Sequence, residues 1–272
     1  MRTINFIGWL HHKNIEGAKL FKDFKVEFNG TSTDIVVNTS SIDGINGNIT
    51  LFGPNIDLYN ITKINGYKIN VLCDWVSKCA KNINPNCETV LLPFPVNTDK
   101  FQPSEKDNIP ILYFKRRDLS LFDDVIKHMY EKYNQIRLFD YEEGYNEEDY
   151  ITACSKAPFC IWLGSHESQG FALQECLSSN TPILVIDVNS LTDEIPKHGE
   201  KYWKEGFGIK ATSAPYFDER CGVITDFENY KIDMDLLINR IGEFTPRQYV
   251  LENLSAEVLS KKWTEIINKY NR

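Results

Sequence analysis

The sequence predicts an α/β protein in two units, each built on a parallel sheet. Three observations carry that prediction. Between residues 109 and 225, short apolar runs alternate with helical stretches, and the runs start about every 24 residues. The stretch from Pro93 to Pro110 holds four prolines among many polar residues, which is the composition of a linker. A chain of 272 residues is long enough for about two domains.

The elements follow in order. Residues 4–10 form a first strand candidate, followed by runs at 34–38, 49–52 and 68–72. Residues 74–80 read as a short helix with Asp74 near its N-cap, and the run from Val90 to Leu92 reads as a last strand. These make a small α/β unit over residues 1–98. After the linker, residues 111–114 are apolar, and residues 119–133 place Leu121, Val125, Ile126, Met129 and Tyr130 on one helical face. Strand, helix, strand, helix and strand are then expected at 136–139, 147–156, 159–163, 171–179 and 181–187. Apolar runs joined by helices of this size indicate parallel strands covered on both faces. This second unit spans 99–250. Residues 251–272 are expected to close the chain as a helix returning toward the N-terminal unit, with Trp263, Ile266 and Ile267 on its apolar face.

Composition narrows the function. Thirty basic against 38 acidic residues give a net charge of −8, which argues against nucleic acid as a partner. No apolar run reaches the roughly 18 residues of a membrane span. The first residues enter a strand directly and lack the pattern of a secretory signal. The expected location is the cytoplasm or the cytosolic face of a membrane, with at most peripheral contact. Seven cysteines without a C-x-x-C pair read as reduced core residues. Cys160, His166 and Cys176 do not have the usual spacing of a zinc site, so no metal is expected.

The chemistry concentrates between Leu163 and Pro182. A strand ends, a polar turn with Gly164 and Gly170 follows, and a helix begins near Phe171. The amides of Gly170, Phe171 and Ala172 have no intrahelical acceptor there, which suits a phosphate or diphosphate. Glu167 precedes the turn and Glu175 lies one helical turn inside, with seven residues between them. Ionised carboxylates accept hydrogen bonds from hydroxyls, so the pair fits a ligand with hydroxyls on either side of a diphosphate. A nucleotide-sugar is such a ligand.

This stretch resembles the E-x7-E signature of retaining GT-B glycosyltransferases, group 1 or family 4-like. Glu167-Ser-Gln-Gly-Phe-Ala-Leu-Gln-Glu175 carries the resemblance, followed by Thr181-Pro-Ile-Leu-Val185. The linker from Val96 to Pro103 is similar to the family's interdomain segment. Lys115-Arg116-Arg117 follow a strand where the family has a Gly-Arg pair. The resemblance implies two Rossmann-like domains with parallel sheets, the N-terminal one small. It implies transfer of a sugar from a UDP- or GDP-sugar to a glycan, lipid or protein acceptor, with retention of anomeric configuration and no metal or other cofactor. Carried over residue by residue, Glu167 binds the donor sugar and Glu175 the nucleotide ribose. Gly170, Phe171 and Ala172 hold the diphosphate and sugar through their amides. Arg116, with Lys115 or Arg117, neutralises the leaving group. Ser168 and Gln169, within the turn, join the substrate-binding set.

Other candidates are more local. His11 and His12 follow the first strand, and His12 is a candidate catalytic group on the acceptor side. Tyr141 and Tyr145 are candidates for stacking on the nucleotide base. Asp218 and Glu219 lie in a loop around Pro215 that can line a cleft. Trp162 and Phe171 are expected in the core. Two alternatives remain. A degenerate GT-B subunit that binds nucleotide or glycan is favoured by the short N-terminal unit and by Ser120-Leu121 where the family has a lysine. A nucleotide-sugar epimerase shares the architecture but needs carboxylates and a histidine converging on the sugar.

Overall fold

The computed structural model describes residues 1–40, 46–53, 68–195 and 209–270. The chain divides into two compact units. One joins Met1–Asn97 to Asn253–Arg272, and the other is the continuous segment Thr98–Glu252.

The first unit holds six parallel strands: β1 (Arg2–Ile7), β2 (Phe24–Phe28), β3 (Ile35–Asn38), β4 (Ile49–Phe52), β5 (Lys68–Val71) and β6 (Glu88–Leu91). They are ordered β2-β1-β3-β4-β5-β6. Every neighbouring pair is parallel, with Ile4 opposite Ile35 and Ile7 opposite Asn38. The central strands are apolar throughout because both faces are covered; Ile4, Ile35, Val36, Val37 and Leu51 have no exposed surface. Helix α1 (His12–Ala18) joins β1 to β2, and α2 (Asp74–Ile83) joins β5 to β6. Neither α1 nor β2 is expected from the sequence. The first strand also ends earlier than its apolar pattern suggests, because Gly8 takes a φ of 95°. Cys73 has the extended N-cap backbone of α2, and Asp74 is the first helical residue, where its charge still favours the helix dipole.

Helix α8 (Ala256–Tyr270) belongs to this first unit. Leu259, Trp263 and Ile267 recur every fourth residue and are buried along one face. Trp263 sits among Phe6, Phe21 and Phe94, with ring centroids 6.1, 5.1 and 6.1 Å away. Its indole N–H donates to the Pro93 carbonyl at 3.2 Å.

The second unit holds β7 (Ile111–Phe114), β8 (Arg137–Asp140), β9 (Cys160–Leu163), β10 (Ile183–Ile186) and β11 (Gly222–Thr225). These parallel strands are ordered β11-β10-β9-β7-β8. Helices α3 (Leu119–Lys132), α4 (Glu147–Lys156), α5 (Phe171–Ser178), α6 (Tyr230–Asn239) and α7 (Pro246–Asn253) complete it. Asp118 caps α3 by accepting from Ser120 N, and Asn146 caps α4 by accepting from Glu148 N and Asp149 N. Leu112, Phe114, Val125, Met129, Ile161, Leu184 and Met234 build the core on one side of the sheet. The edge strand β11 is not expected from the sequence. It starts at Gly222, where a φ of 138° and the nearby Ile183 carbonyl leave no room for a side chain. All seven cysteines are free and buried. Burial pushes the thiols of Cys73 and Cys221 up to about 12 and that of Cys79 to about 11.

Among the described residues, no helix is long and apolar enough to cross a membrane.

Candidate functional site

In the second unit the chain passes from β7 outward to β8, then crosses back to lay β9 on the other side of β7. Ligands of open parallel sheets bind at such a switch point, beyond the carboxyl ends of the strands. The segments leaving β7 and β9 there are Lys115-Arg116-Arg117 and Gly164 to Gln169. Lys115 N donates to the Leu163 carbonyl at 3.1 Å, which holds the two segments side by side. As a result Lys115 Nζ lies 2.6 Å from Glu167 Oε1, in a pair with side chains 13% and 16% exposed.

Arg116 adopts a φ of 51°, an uncommon conformation for a residue with a side chain. Its Nε meets Glu142 Oε1 at 2.6 Å and its Nη1 meets Glu194 Oε1 at 3.0 Å. Its carbonyl accepts from Ile195 N at 2.8 Å. The Tyr141 ring carries both cations, with Lys115 Nζ 4.5 Å and Arg116 Cζ 5.3 Å from its centroid. Tyr145 instead packs edge-on to Tyr113 and Phe139.

Arg117 departs from its expected place on an anion. It is buried, and its Nη1 donates to the carbonyls of Gly164 and Ile186, both at 3.0 Å. It ties the ends of β9 and β10 together. Of the two partners considered for Arg116, Lys115 lies against Glu167, whereas Arg117 donates to these scaffold carbonyls.

The turn before α5 is fixed from several sides. Glu167 N donates to the Thr212 carbonyl at 3.0 Å. Thr212 Oγ1 reaches Asp187 Oδ2 at 2.8 Å, while Ser213 N and Ser213 Oγ reach Asp187 Oδ1 at 2.7 and 3.0 Å. Asp187 therefore positions Glu167 through the loop after residue 210. Gln169 is buried. It exchanges hydrogen bonds with Gln174, whose side chain donates to the Gln169 carbonyl at 2.6 Å. Ser168 is exposed. Gly170 is the N-cap of α5 with a φ of 79°, and no side chain caps that helix. Phe171 and Ala172 are partly exposed in its first turn, so Phe171 is not the core residue expected. Glu175 is buried one turn further on. Trp162 is in the core, stacked on Tyr113 at 3.9 Å. Its Nε1 and the Ser165 hydroxyl are buried with no hydrogen-bond partner among the described residues.

His12 lies in the first unit, exposed at the start of α1, with its ring 4.2 Å from that of His11. Asp218 is engaged by Arg220 at 2.7 Å, and Glu219 is exposed. Cys160 opens β9 while His166 lies beyond its other end. With Cys176 they do not gather their ligand atoms around one point. The site residues that sequence reasoning missed are Glu142, Glu194 and Asp187. They lie far along the chain from the groups they hold and have no motif of their own.

Burial pushes the His166 imidazole below its ordinary value, against the opposing pull of Glu194 and Glu167. The unfolded chain takes up this proton below a pH of about 6.5, while the folded protein resists it. The contribution is thus fully present above that pH and is lost as the pH falls. Thermal melts across pH 7 to 5, a window set by the ordinary histidine value of about 6.5, should show a flatter decline in His166→Gln than in the parent protein. Equal slopes would remove His166 as the cause.

No family model and no curated protein sequence matches the chain. Solved structures do share its fold. A sucrose-phosphate synthase from Thermosynechococcus elongatus aligns with a TM-score of 0.59 at 10% identity, over 99% of each chain. The lipopolysaccharide outer core galactosyltransferase WaaB aligns with a TM-score of 0.57 at 11% identity, over 98% of this chain and 99% of that one. TarM from S. aureus, in complex with fondaparinux, alpha-GlcNAc-glycerol and UDP, aligns with a TM-score of 0.56 at 15% identity, over 94% of this chain and 58% of that one. At these identities the likeness is one of fold. The chain has the GT-B architecture of two α/β units with parallel sheets.

Proposed function

We propose that the chain transfers a glycosyl group from a nucleoside-diphosphate sugar to an acceptor hydroxyl, with retention of configuration. The observation that carries this reading is the Lys115–Glu167 pair at the switch point, beside the uncapped start of α5. A donor places its diphosphate against the amides of Phe171 and Ala172, where a helix start favours negative charge. Its phosphate oxygens draw Lys115 and Arg116 away from Glu167, Glu142 and Glu194. Glu167, released from Lys115, accepts hydrogen bonds from the sugar hydroxyls, and Glu175 accepts from the ribose. The bond from the anomeric carbon to the phosphate oxygen breaks. Lys115 and Arg116 stabilise the charge that develops on that oxygen. The acceptor oxygen attacks from the face the phosphate leaves, and its proton passes to the departing phosphate oxygen.

The amides and the two cations supply the positive charge, so transfer needs no divalent metal. A thermal-shift screen of UDP, GDP and their sugars tests the donor assignment. A bound nucleotide at 100 times its dissociation constant adds about 2.7 kcal/mol to the stability of the unit that holds it. Transfer or donor hydrolysis should then survive EDTA unchanged. If no nucleoside diphosphate stabilises the protein, the reading fails; if EDTA abolishes turnover, the metal-free mechanism fails.

A second reading is favoured by the same ion pairs. Arg116 is held by two carboxylates and Lys115 by one, a balance that suits a subunit which binds nucleotide or glycan without turnover. Nucleotide binding without any donor hydrolysis would select it.

A further inference from the structure

Arg117 spends only part of its donor capacity on the scaffold. Its Nη1 serves the Gly164 and Ile186 carbonyls, which leaves the N–H of Nε and both of Nη2. None of these has an acceptor among the described residues, and none of those residues pairs a carboxylate with Arg117. The residue is 7% exposed. A guanidinium so far out of water is costly unless something pairs with it.

Arg117 lines a cavity of about 350 Å³ at the carboxyl ends of β7, β10 and β11. Asp118 borders it at the start of α3, Asp226 and Phe227 just before α6, and Asp187 and Asp193 in the segment after β10. This is not the donor site. Helices α3 and α6 cover the sheet face to which Leu112, Phe114, Leu184 and Ile186 turn. Tyr113 turns the other way, toward Tyr150 of α4, and α5 packs there: the Tyr150 hydroxyl donates to the Ala172 carbonyl at 2.7 Å. Lys115, Arg116, Glu167 and Glu175 do not border the cavity.

Its charge limits what can fill it. Four aspartates face one guanidinium. Three of them are fixed by a backbone amide through one oxygen: Asp118 accepts from Ser120 N at 2.8 Å, Asp193 from Asn189 N at 2.8 Å and Asp226 from Asn229 N at 2.9 Å. The other oxygen of each has no partner among the described residues. A phosphate or a carboxylate meets a net negative wall. A metal ion or a simple polyamine suits the carboxylates but gives Arg117 nothing to donate to. The occupant has to carry a positive charge and oxygen acceptors in one molecule.

We propose that this cavity binds an amino sugar with a free amine, its ammonium among Asp118, Asp193 and Asp226 and its hydroxyl oxygens accepting from Arg117. Phe227 is partly exposed and offers a ring to the apolar C–H face of a pyranose. The volume falls within the range of small-molecule sites. The assignment does not depend on the donor reading.

The test is saturation-transfer NMR on the full chain near neutral pH and about 0.15 M salt, where charge effects at exposed surfaces are screened. The probes are glucosamine, N-acetylglucosamine, glucose and spermidine, each with and without UDP. Glucosamine should bind at least tenfold more tightly than the other three, and UDP should leave its affinity unchanged. Asp226→Ala should weaken glucosamine about tenfold without lowering the melting temperature by more than a few degrees. Arg117→Lys should do the same; if that variant fails to fold because β9 and β10 lose their tie, Asp226→Ala decides alone. The proposal is overturned if glucosamine does not bind, if N-acetylglucosamine or glucose binds as tightly, or if Asp226→Ala has no effect. Equal binding of spermidine would reduce the site to an acidic patch, and displacement by UDP would move the sugar to the donor site; either result also overturns it.

Discussion

Glu167→Gln should lower glycosyl transfer by about 100- to 1000-fold, the scale seen when one preorganised electrostatic group is removed from a transition state. The substitution keeps the shape of the side chain and removes its charge. In the resting protein that charge neutralises Lys115 at 2.6 Å, with both side chains largely out of water. During transfer the proposed role of Glu167 changes: it faces a sugar ring whose anomeric carbon gains positive character, and its negative charge matters most there. Glutamine still accepts a hydrogen bond, so donor affinity should change little while kcat falls. Initial rates at saturating donor, with nucleotide affinity measured in parallel, separate the two quantities. A loss below tenfold would remove Glu167 from the reacting centre. Asp187→Asn should have a smaller effect of the same kind, because Asp187 acts on Glu167 indirectly, through the loop at Thr212 and Ser213.

Trp263→Ala should cost about 3–5 kcal/mol, the usual range for deleting a fully buried aromatic side chain. Trp263 has no exposed surface, and the three phenylalanines around it come from β1, from the segment after α1 and from the segment after β6. The alanine leaves a cavity lined by rings that cannot all move into it, and it removes the indole N–H that donates to Pro93 O. The loss belongs to the first unit. Chemical denaturation should show that unit's transition at lower denaturant, while a nucleotide-stabilised transition of the second unit stays in place. A single transition shifted by less than about 1 kcal/mol would show that the ring cluster contributes little.

Much of this architecture is legible in the residues themselves. The strands at Cys160–Leu163 and Ile183–Ile186 are continuous apolar runs because parallel strands are covered on both faces. Helix α4 announces its start through Asn146 and three acidic residues in its first turn. The elements that escape are those with weak local signals. Helix α1 is seven residues long and contains Gly17, which sits against the Pro95 carbonyl. Strand β2 is an edge strand with one buried residue, and β11 begins on a glycine that its neighbour's carbonyl requires. The site divides in the same way. Glu167 and Glu175 share one strand-turn-helix unit, so spacing reveals them. Glu142 and Glu194 reach Arg116 across 26 and 78 residues, and the task of Arg117 follows from carbonyls 47 and 69 residues away. Such pairings are made by the topology of the sheet and leave no periodic trace.

The first unit is assembled from two segments that flank the second, and the second is continuous from Thr98 to Glu252. This inverts the usual order of events at the ribosome, where the amino-terminal domain folds first. The strands β1 to β6 emerge early but wait for Trp263 and Ile267, which are made after the second unit. The second unit is complete before them. Nascent chains arrested after residue 252 should therefore resist protease over Thr98–Glu252 while the earlier residues are still cut.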